Sequence, residues 1–138
     1  MIKASVRWAG NRQFIGIGEN SGHAIVMDMA KDKGGENTGM RMTEVFLISI
    51  AGCTAVDMHN ILTKMKVQLK RCEVHIEGTQ KESYPKYFHR FHLKYILSGE
   101  GLDRKKAEKA VALSMDKYCA VSQTVKGRAD FDIKIEIV

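Results

Sequence analysis

Residues 41–66, RMTEVFLISIAGCTAVDMHNILTKMK, decide the fold. From Val45 to Val56 the stretch is almost continuously apolar, and after Asp57 apolar residues recur only at helical spacing. This pattern predicts a helix of about 24 residues, roughly 36 Å long, with Thr43 as its N-cap. A helix that is apolar on every side must be buried on every side. Because one small sheet cannot cover so much apolar surface, we expect the helix to lie at the centre of a homodimer.

Gly52, in the middle of the apolar segment, leaves two local structures open. Glycine lowers helix propensity by about 1 kcal/mol relative to alanine. It either allows close packing along one continuous helix or breaks the helix so that Cys53 begins a second one. The second alternative matters for chemistry, because a helix N-terminus stabilises a thiolate.

Alternating apolar and polar residues on both sides of this helix predict strands. Three short strands precede the helix, at residues 2–8, 13–18 and 23–29, and a glycine-containing loop at 31–39 leads into it. After it, residues 67–78 and 87–97 pair as a hairpin, residues 103–118 form a helix with Asp103 as N-cap, and residues 129–138 form the last strand. The order predicts one α+β domain over residues 1–138, with a largely antiparallel sheet around a long central helix.

The charge and hydropathy of the chain limit its partners. A net charge of +6, from 22 Lys plus Arg against 16 Asp plus Glu, is typical of a solvated surface. The one basic run, residues 104–106, is interrupted at once by Ala107 and Glu108, which disfavours nucleic-acid binding. No secretory signal follows Met1, and the apolar run is short for a bilayer and carries Ser49 and Thr54. We therefore expect a soluble, cytoplasmic protein with no membrane partner.

The three cysteines are an odd number, which disfavours a structural disulfide framework. In a reducing compartment, thiols are buried, metal-bound or catalytic. Cys72 lies on an apolar strand face and is interpreted as a core residue. Cys53 in an apolar helix is by default also a core residue, whereas Cys119, at a helix end beside Ser122, is more ambiguous.

Motifs for several other chemistries are absent from the sequence. No CxxC pair occurs, and His89 and His92, three apart on a predicted strand, fall on opposite faces. Neither a GxSxG motif nor a phosphate-binding loop is present. The sequence therefore predicts no metal site and no cofactor.

Four stretches resemble the OsmC/Ohr family of thiol-dependent peroxidases, and its YhfA-like branch in particular. They are GNRQFIGIGENSGHAIVMD at 10–28, GGENTGMRMTEVFLISIAGCTAVDMHNILTKM at 34–65, PKYFHRFHLKYILSGEGL at 85–102 and KYCAVSQTV at 117–125. The most specific features are the two cysteine contexts, AGCTAVD and KYCAVSQTV. In two places the sequence departs from the family pattern, with Met42 and Ala120 where relatives commonly carry proline.

The resemblance implies an intertwined homodimer with two active sites at its interface. It implies that Cys53 attacks the peroxide, that Cys119 resolves the product, and that an Arg–Glu pair lies near Cys53. Glu44 stands in the family's glutamate position, while the arginine is either Arg12 or Arg41. The guanidinium would offset the effect of burial on the Cys53 thiolate.

The function implied is reduction of organic hydroperoxides to alcohols through a Cys53 sulfenic acid and an intrachain disulfide with Cys119. A dithiol reductant, of the lipoyl type in this family, would then recycle the disulfide. The alternative is a redox-sensing or ligand-binding module on the same fold without high peroxidase turnover. Asp57, four residues after Cys53 and so near it on a helix, has no assigned role.

Overall fold

Three short strands at the start of the chain pair as an antiparallel meander. The computed structural model describes residues 1–138, which divide into two compact units, Met1–Phe46 and Leu47–Val138. In the first unit, β1 (Ala4–Trp8), β2 (Phe14–Gly18) and β3 (His23–Met27) pair in that order. Val6 and Trp8 on β1 are 62% and 69% exposed. The apolar face predicted from the alternation therefore exists, but this chain alone leaves it open to solvent.

Asp28 organises the loop that joins the meander to the following helix. Its side chain is 1% exposed and accepts hydrogen bonds from the Thr38 hydroxyl at 2.7 Å and from the backbone N–H groups of Met29, Glu36 and Thr38 at 2.7, 3.1 and 3.0 Å. The bond from the Thr38 hydroxyl, followed by the backbone bonds, lowers the pKa of Asp28 to about 2. A short 3₁₀ turn at Lys31–Lys33 lies within this loop.

The long helix α1 spans Met42–Lys64 without interruption. It continues through Gly52, so the alternative in which Cys53 begins a second helix is wrong. The prediction of Thr43 as N-cap is also wrong, because α1 already begins at Met42. Glu44 Oε2 accepts the backbone N–H of Arg41 at 2.7 Å, as the glutamate of a capping box does.

Burial of α1 is one-sided in the single chain. Its fully or nearly fully buried residues are Ile50, Ala51, Thr54, Met58, Ile61 and Leu62. Ile48 and Val56 are 52% and 61% exposed. One chain therefore does not cover the helix on every side, as the sequence argument expected, and the homodimer stays a prediction. By length and composition alone, α1 is also long and apolar enough to cross a membrane, a test that the core helices of soluble proteins pass as well.

The second sheet consists of β4 (Gln68–Gln80), β5 (Phe88–Glu100) and β6 (Asp130–Ile137), in that order. β4 and β5 form the predicted antiparallel hairpin, whereas β6 pairs with β5 in parallel. The prediction of an antiparallel sheet is therefore corrected in two respects: there are two sheets, and the last strand is parallel. The physical reason is the connection from β5 to β6, which contains helices and is long enough to return the chain to the same end of the sheet.

Helical segments make this connection. α2 spans Arg104–Leu113, a π turn follows at Ser114–Tyr118, and α3 spans Ala120–Val125. Asp103 caps α2, as predicted, by accepting the N–H of Lys106 at 2.7 Å. The core of this unit is formed by one face of β5, the inner stripe of α2 and α1, and its members include Phe91, Leu93, Tyr95, Leu97, Ala107, Ala110 and Val111.

Candidate active site

Cys53, Asp57 and Cys119 converge within the second unit. One side-chain ligand atom from each, Sγ or a carboxylate oxygen, lies within 4.8 Å of the other two. Cys53 and Asp57 are four residues apart on α1 and therefore share one face of that helix. Cys119 enters from the junction between the π turn and α3. The fold thus brings together two residues predicted to be functional and one to which the sequence assigned no role.

Cys119 is fully buried and held from two sides. Its backbone N–H donates to the Ser114 carbonyl at 2.8 Å, closing the π turn. Its Sγ lies 3.0 Å from Ser122 Oγ and accepts the Ser122 N–H at 3.4 Å, which makes Cys119 the N-cap of α3. Burial is the main cause that raises the pKa of the Cys119 thiol. The Ser122 bonds oppose that effect, and a hydrogen bond with Cys53 adds to it. The net direction of the pKa shift therefore favours the protonated thiol over the thiolate at Cys119.

A buried chain of hydroxyl groups supports this cluster. Thr54 Oγ1 lies 2.8 Å from Tyr95 Oη and 2.9 Å from Ser114 Oγ, and Ser114 Oγ donates to Asp57 Oδ2 at 2.8 Å. Because Ser114 gives its only proton to Asp57, it must accept from Thr54, which in turn accepts from Tyr95. Burial raises the pKa of Tyr95 to about 12, so that this hydroxyl remains a donor. The hydrogen bonds therefore run in one direction, from Tyr95 to the Asp57 carboxylate.

The other predicted site residues lie in the first unit. The Arg41 guanidinium donates to the Gly39 carbonyl at 2.9 Å, to the Asp28 carbonyl at 3.4 Å and to Asn37 Oδ1. Arg41 thus holds the loop that precedes α1. Arg12 is exposed and lies against Gly34, where an added Cβ would be 3.1 Å from Arg12 Nε.

Cys72 does not belong to the cluster of Cys53, Asp57 and Cys119 and lies on β4 opposite Leu97 of β5. Its side chain is partly buried, and burial raises the pKa of its thiol. Both observations agree with the interpretation of Cys72 as a packing residue.

Sequence reasoning missed the role of the hydroxyl chain. Thr54, Ser114 and Tyr95 occupy inward positions on three different elements, and all are 0% exposed. The available signal was the presence of polar atoms at core positions, since a buried hydroxyl requires a partner. The identity of the partners depends on the tertiary fold.

The fold places a thiol on α1 close to a second thiol from the connection between β5 and β6. These features define a class of protein, and comparison with known proteins identifies that class. The family model described as OsmC-like protein matches residues 35–134, and the chain belongs to this family. In the soluble OsmC-like fold, α1 is a core helix. The resemblance noted from the sequence is confirmed.

Individual relatives match over almost their whole length. The chain is 31% identical over 137 residues to protein YhfA of Escherichia coli strain K12, covering 99% of this chain and 98% of that protein. A hypothetical protein from Aquifex aeolicus VF5 shares 27% identity and a TM-score of 0.86, with 100% and 96% of the two chains covered. An organic hydroperoxide resistance protein OsmC from Legionella pneumophila shares the fold at 18% identity, with a TM-score of 0.73 and coverage of 99% and 96%.

Proposed function

We propose that this protein is a thiol-dependent peroxidase that reduces organic hydroperoxides to alcohols in the cytoplasm. The observation that supports the proposal is the proximity of Cys53 and Cys119, whose Sγ atoms lie within 4.8 Å of each other. Family membership supports a redox or peroxide-resistance role, and the Legionella relative carries organic hydroperoxide resistance in its name.

The proposed reaction uses the two thiols in succession. The Cys53 thiolate attacks the O–O bond of ROOH, one oxygen is transferred to sulfur as a sulfenic acid, and the other leaves as the alcohol ROH after taking up a proton. The Cys119 thiol then condenses with the sulfenic acid, releasing water and forming the disulfide. Bond formation requires the sulfurs to approach to about 2.05 Å. A dithiol reductant, proposed to be of the lipoyl type, supplies two electrons and two protons to restore both thiols.

An arginine and Glu44 complete the proposed site. Glu44 and Cys53 are nine positions apart on α1, a rise of about 13.5 Å, so the carboxylate would act through the arginine rather than on the sulfur. The Arg41 guanidinium already donates to three acceptors in its own loop. Arg12 and Arg41 both remain candidates for the cation that stabilises the thiolate and binds the peroxide.

We propose further that the working unit is a homodimer. Ile48, Gly52 and Val56 recur every fourth residue and form an exposed stripe along α1. Large apolar side chains that stay exposed on a helix mark a surface that a partner covers. A glycine between them permits close approach of another backbone.

The decisive experiment measures consumption of cumene hydroperoxide with dihydrolipoamide as reductant. Wild type and Cys72→Ser should turn over many equivalents per site, and Cys53→Ser should be inactive. Consumption of only one equivalent per site would favour the alternative function, a redox sensor on the same fold. The specific observation that favours this alternative is the complete burial of the Cys119 thiol. No reaction of Cys53 with hydroperoxide would refute both.

Two further measurements assign the individual residues. Peptide mapping after one equivalent of hydroperoxide should find a Cys53–Cys119 link within one chain, and a link to Cys72 or between chains would contradict the pairing. Glu44→Gln should lower the peroxidase rate without unfolding the protein. Comparing Arg12→Ala with Arg41→Ala then identifies the arginine, because loss of Arg41 should chiefly destabilise its loop.

A further inference from the structure

We propose that Cys53, Asp57 and Cys119 form a binding site for a thiophilic divalent cation of the zinc type. Their three ligand atoms lie within 4.8 Å of one another. In a tetrahedral zinc site with Zn–S distances near 2.3 Å, neighbouring sulfurs are about 3.8 Å apart. The two sulfurs therefore need to approach each other by at most about 1 Å to reach tetrahedral zinc geometry.

The donor set selects the class of metal. Two sulfurs and one carboxylate oxygen suit zinc and similar thiophilic ions, whereas magnesium and calcium prefer oxygen ligands throughout. Three protein ligands leave a fourth tetrahedral position for water or another small ligand. Metal binding releases the protons of both thiols, so that two thiolates and one carboxylate then bring three negative charges together, beside neutral hydroxyl groups of Thr54, Ser114 and Ser122. A bound dication would offset most of that charge.

The ligands are held in place before any metal binds. Cys53 and Asp57 project from one face of a continuous helix. Ser114 donates to Asp57 Oδ2, which fixes the carboxylate and leaves Oδ1 as a ligand. Ser122 fixes Cys119 Sγ through its hydroxyl and its N–H. Such supporting hydrogen bonds orient metal ligands and strengthen their binding.

Metal and disulfide compete for the same two sulfurs. Zinc would bind only the reduced protein, and oxidation to the Cys53–Cys119 disulfide would release it. If the chain is the peroxidase proposed above, zinc is a reversible inhibitor whose removal by a chelator restores turnover. This consequence rests on the proposed function, whereas metal binding itself does not.

The test measures Zn²⁺ binding to the reduced full-length protein by competition with a chromophoric chelator. One equivalent should bind to wild type, and Cys53→Ser and Cys119→Ser should abolish binding. Asp57→Asn should weaken it by about tenfold or more. Cys72→Ser is the matched control, since it removes a thiol outside the cluster, and should bind as wild type does.

A second probe does not depend on any variant folding correctly. Co²⁺ added to the reduced wild type should give the visible bands of a tetrahedral site, together with thiolate-to-cobalt absorption in the near ultraviolet. The same protein oxidised to its disulfide should give neither. Absence of these bands from the reduced wild type would overturn the proposal, as would equal zinc affinity of Asp57→Asn and wild type or loss of binding in Cys72→Ser. Peroxidase activity without zinc binding would refute only the metal site, and zinc binding without activity would refute only the peroxidase.

Discussion

Replacing Gly52 by alanine tests whether the protein is a dimer. The substitution is expected to stabilise the protein if Gly52 faces water and to destabilise the dimer if Gly52 packs against a second copy. An ideal Cβ added to Gly52 meets no heavy atom within 4 Å, apart from its neighbours and the backbone of its own helix. If Gly52 faces water, alanine gains about 1 kcal/mol of helix propensity and the chain becomes more stable. If a second copy packs against the stripe formed by Ile48, Gly52 and Val56, the added methyl groups overpack the contact at about 1–3 kcal/mol.

We expect the second result. In a two-fold symmetric dimer both copies carry the new methyl group, and each 1.4 kcal/mol corresponds to about tenfold in the dissociation constant. Sedimentation velocity over a concentration series should therefore show the Gly52→Ala dimer weakened by about tenfold or more. Lys109→Ala, at an exposed position on α2 and so away from the stripe on α1, should leave the dimer intact and serves as the control. A monomeric wild type, or a Gly52→Ala protein that is both dimeric and more resistant to urea, would refute the reasoning.

Three other outcomes follow from the described contacts. Thr54→Val should lower the free energy of unfolding in urea by about 1–3 kcal/mol, because it deprives the buried Tyr95 hydroxyl of its partner; an unchanged value would mean that water replaces it. At limiting alkylating agent, mass spectrometry should find Cys53 modified before Cys72, whose thiol has its pKa raised by burial, and the reverse order would contradict the assignment. Because folding lowers the pKa of Asp28 from 3.8 to about 2, its stabilising contribution is complete above about pH 4 and is lost as the pH falls towards 2; wild type should thus lose stability relative to Asp28→Asn over that range, and parallel pH profiles would argue against it.

Local signals in the sequence predicted most of the secondary structure. The apolar run from Val45 to Val56 and the helical spacing of apolar residues after Asp57 predicted the extent of α1. Asp103, at the start of an amphipathic segment, correctly predicted the beginning of α2. The parallel pairing of β6 was not predictable in this way. Apolar and polar residues alternate with the same period in parallel and antiparallel strands, so the pattern carries no information on direction. Direction is decided by the helical connection that returns the chain to the edge of β5.

The candidate site could be predicted only partly from the sequence, for the same reason. Helical spacing predicted that Cys53 and Asp57 share a face, since that relation is local. The approach of Cys119 depends on how α2, the π turn and α3 cross the unit, and no spacing rule supplies it. Ile48 and Val56 are a separate case. Their exposure in one chain agrees with the sequence argument that a single small sheet cannot cover α1, and the homodimer stays a prediction.

That uncovered surface connects assembly with chemistry. Gly52, at the centre of the exposed stripe, directly precedes Cys53 in the sequence. A second copy lying on the stripe would exclude water from the neighbourhood of this thiol, and removal of water strengthens the interaction of a thiolate with a nearby guanidinium. Peroxide reduction should consequently decline with dilution in parallel with the dimer fraction, and Gly52→Ala should shift this dependence to higher protein concentration. If activity per chain stayed constant through dissociation, the reactive site would be complete in one chain, and the stripe would serve stability alone.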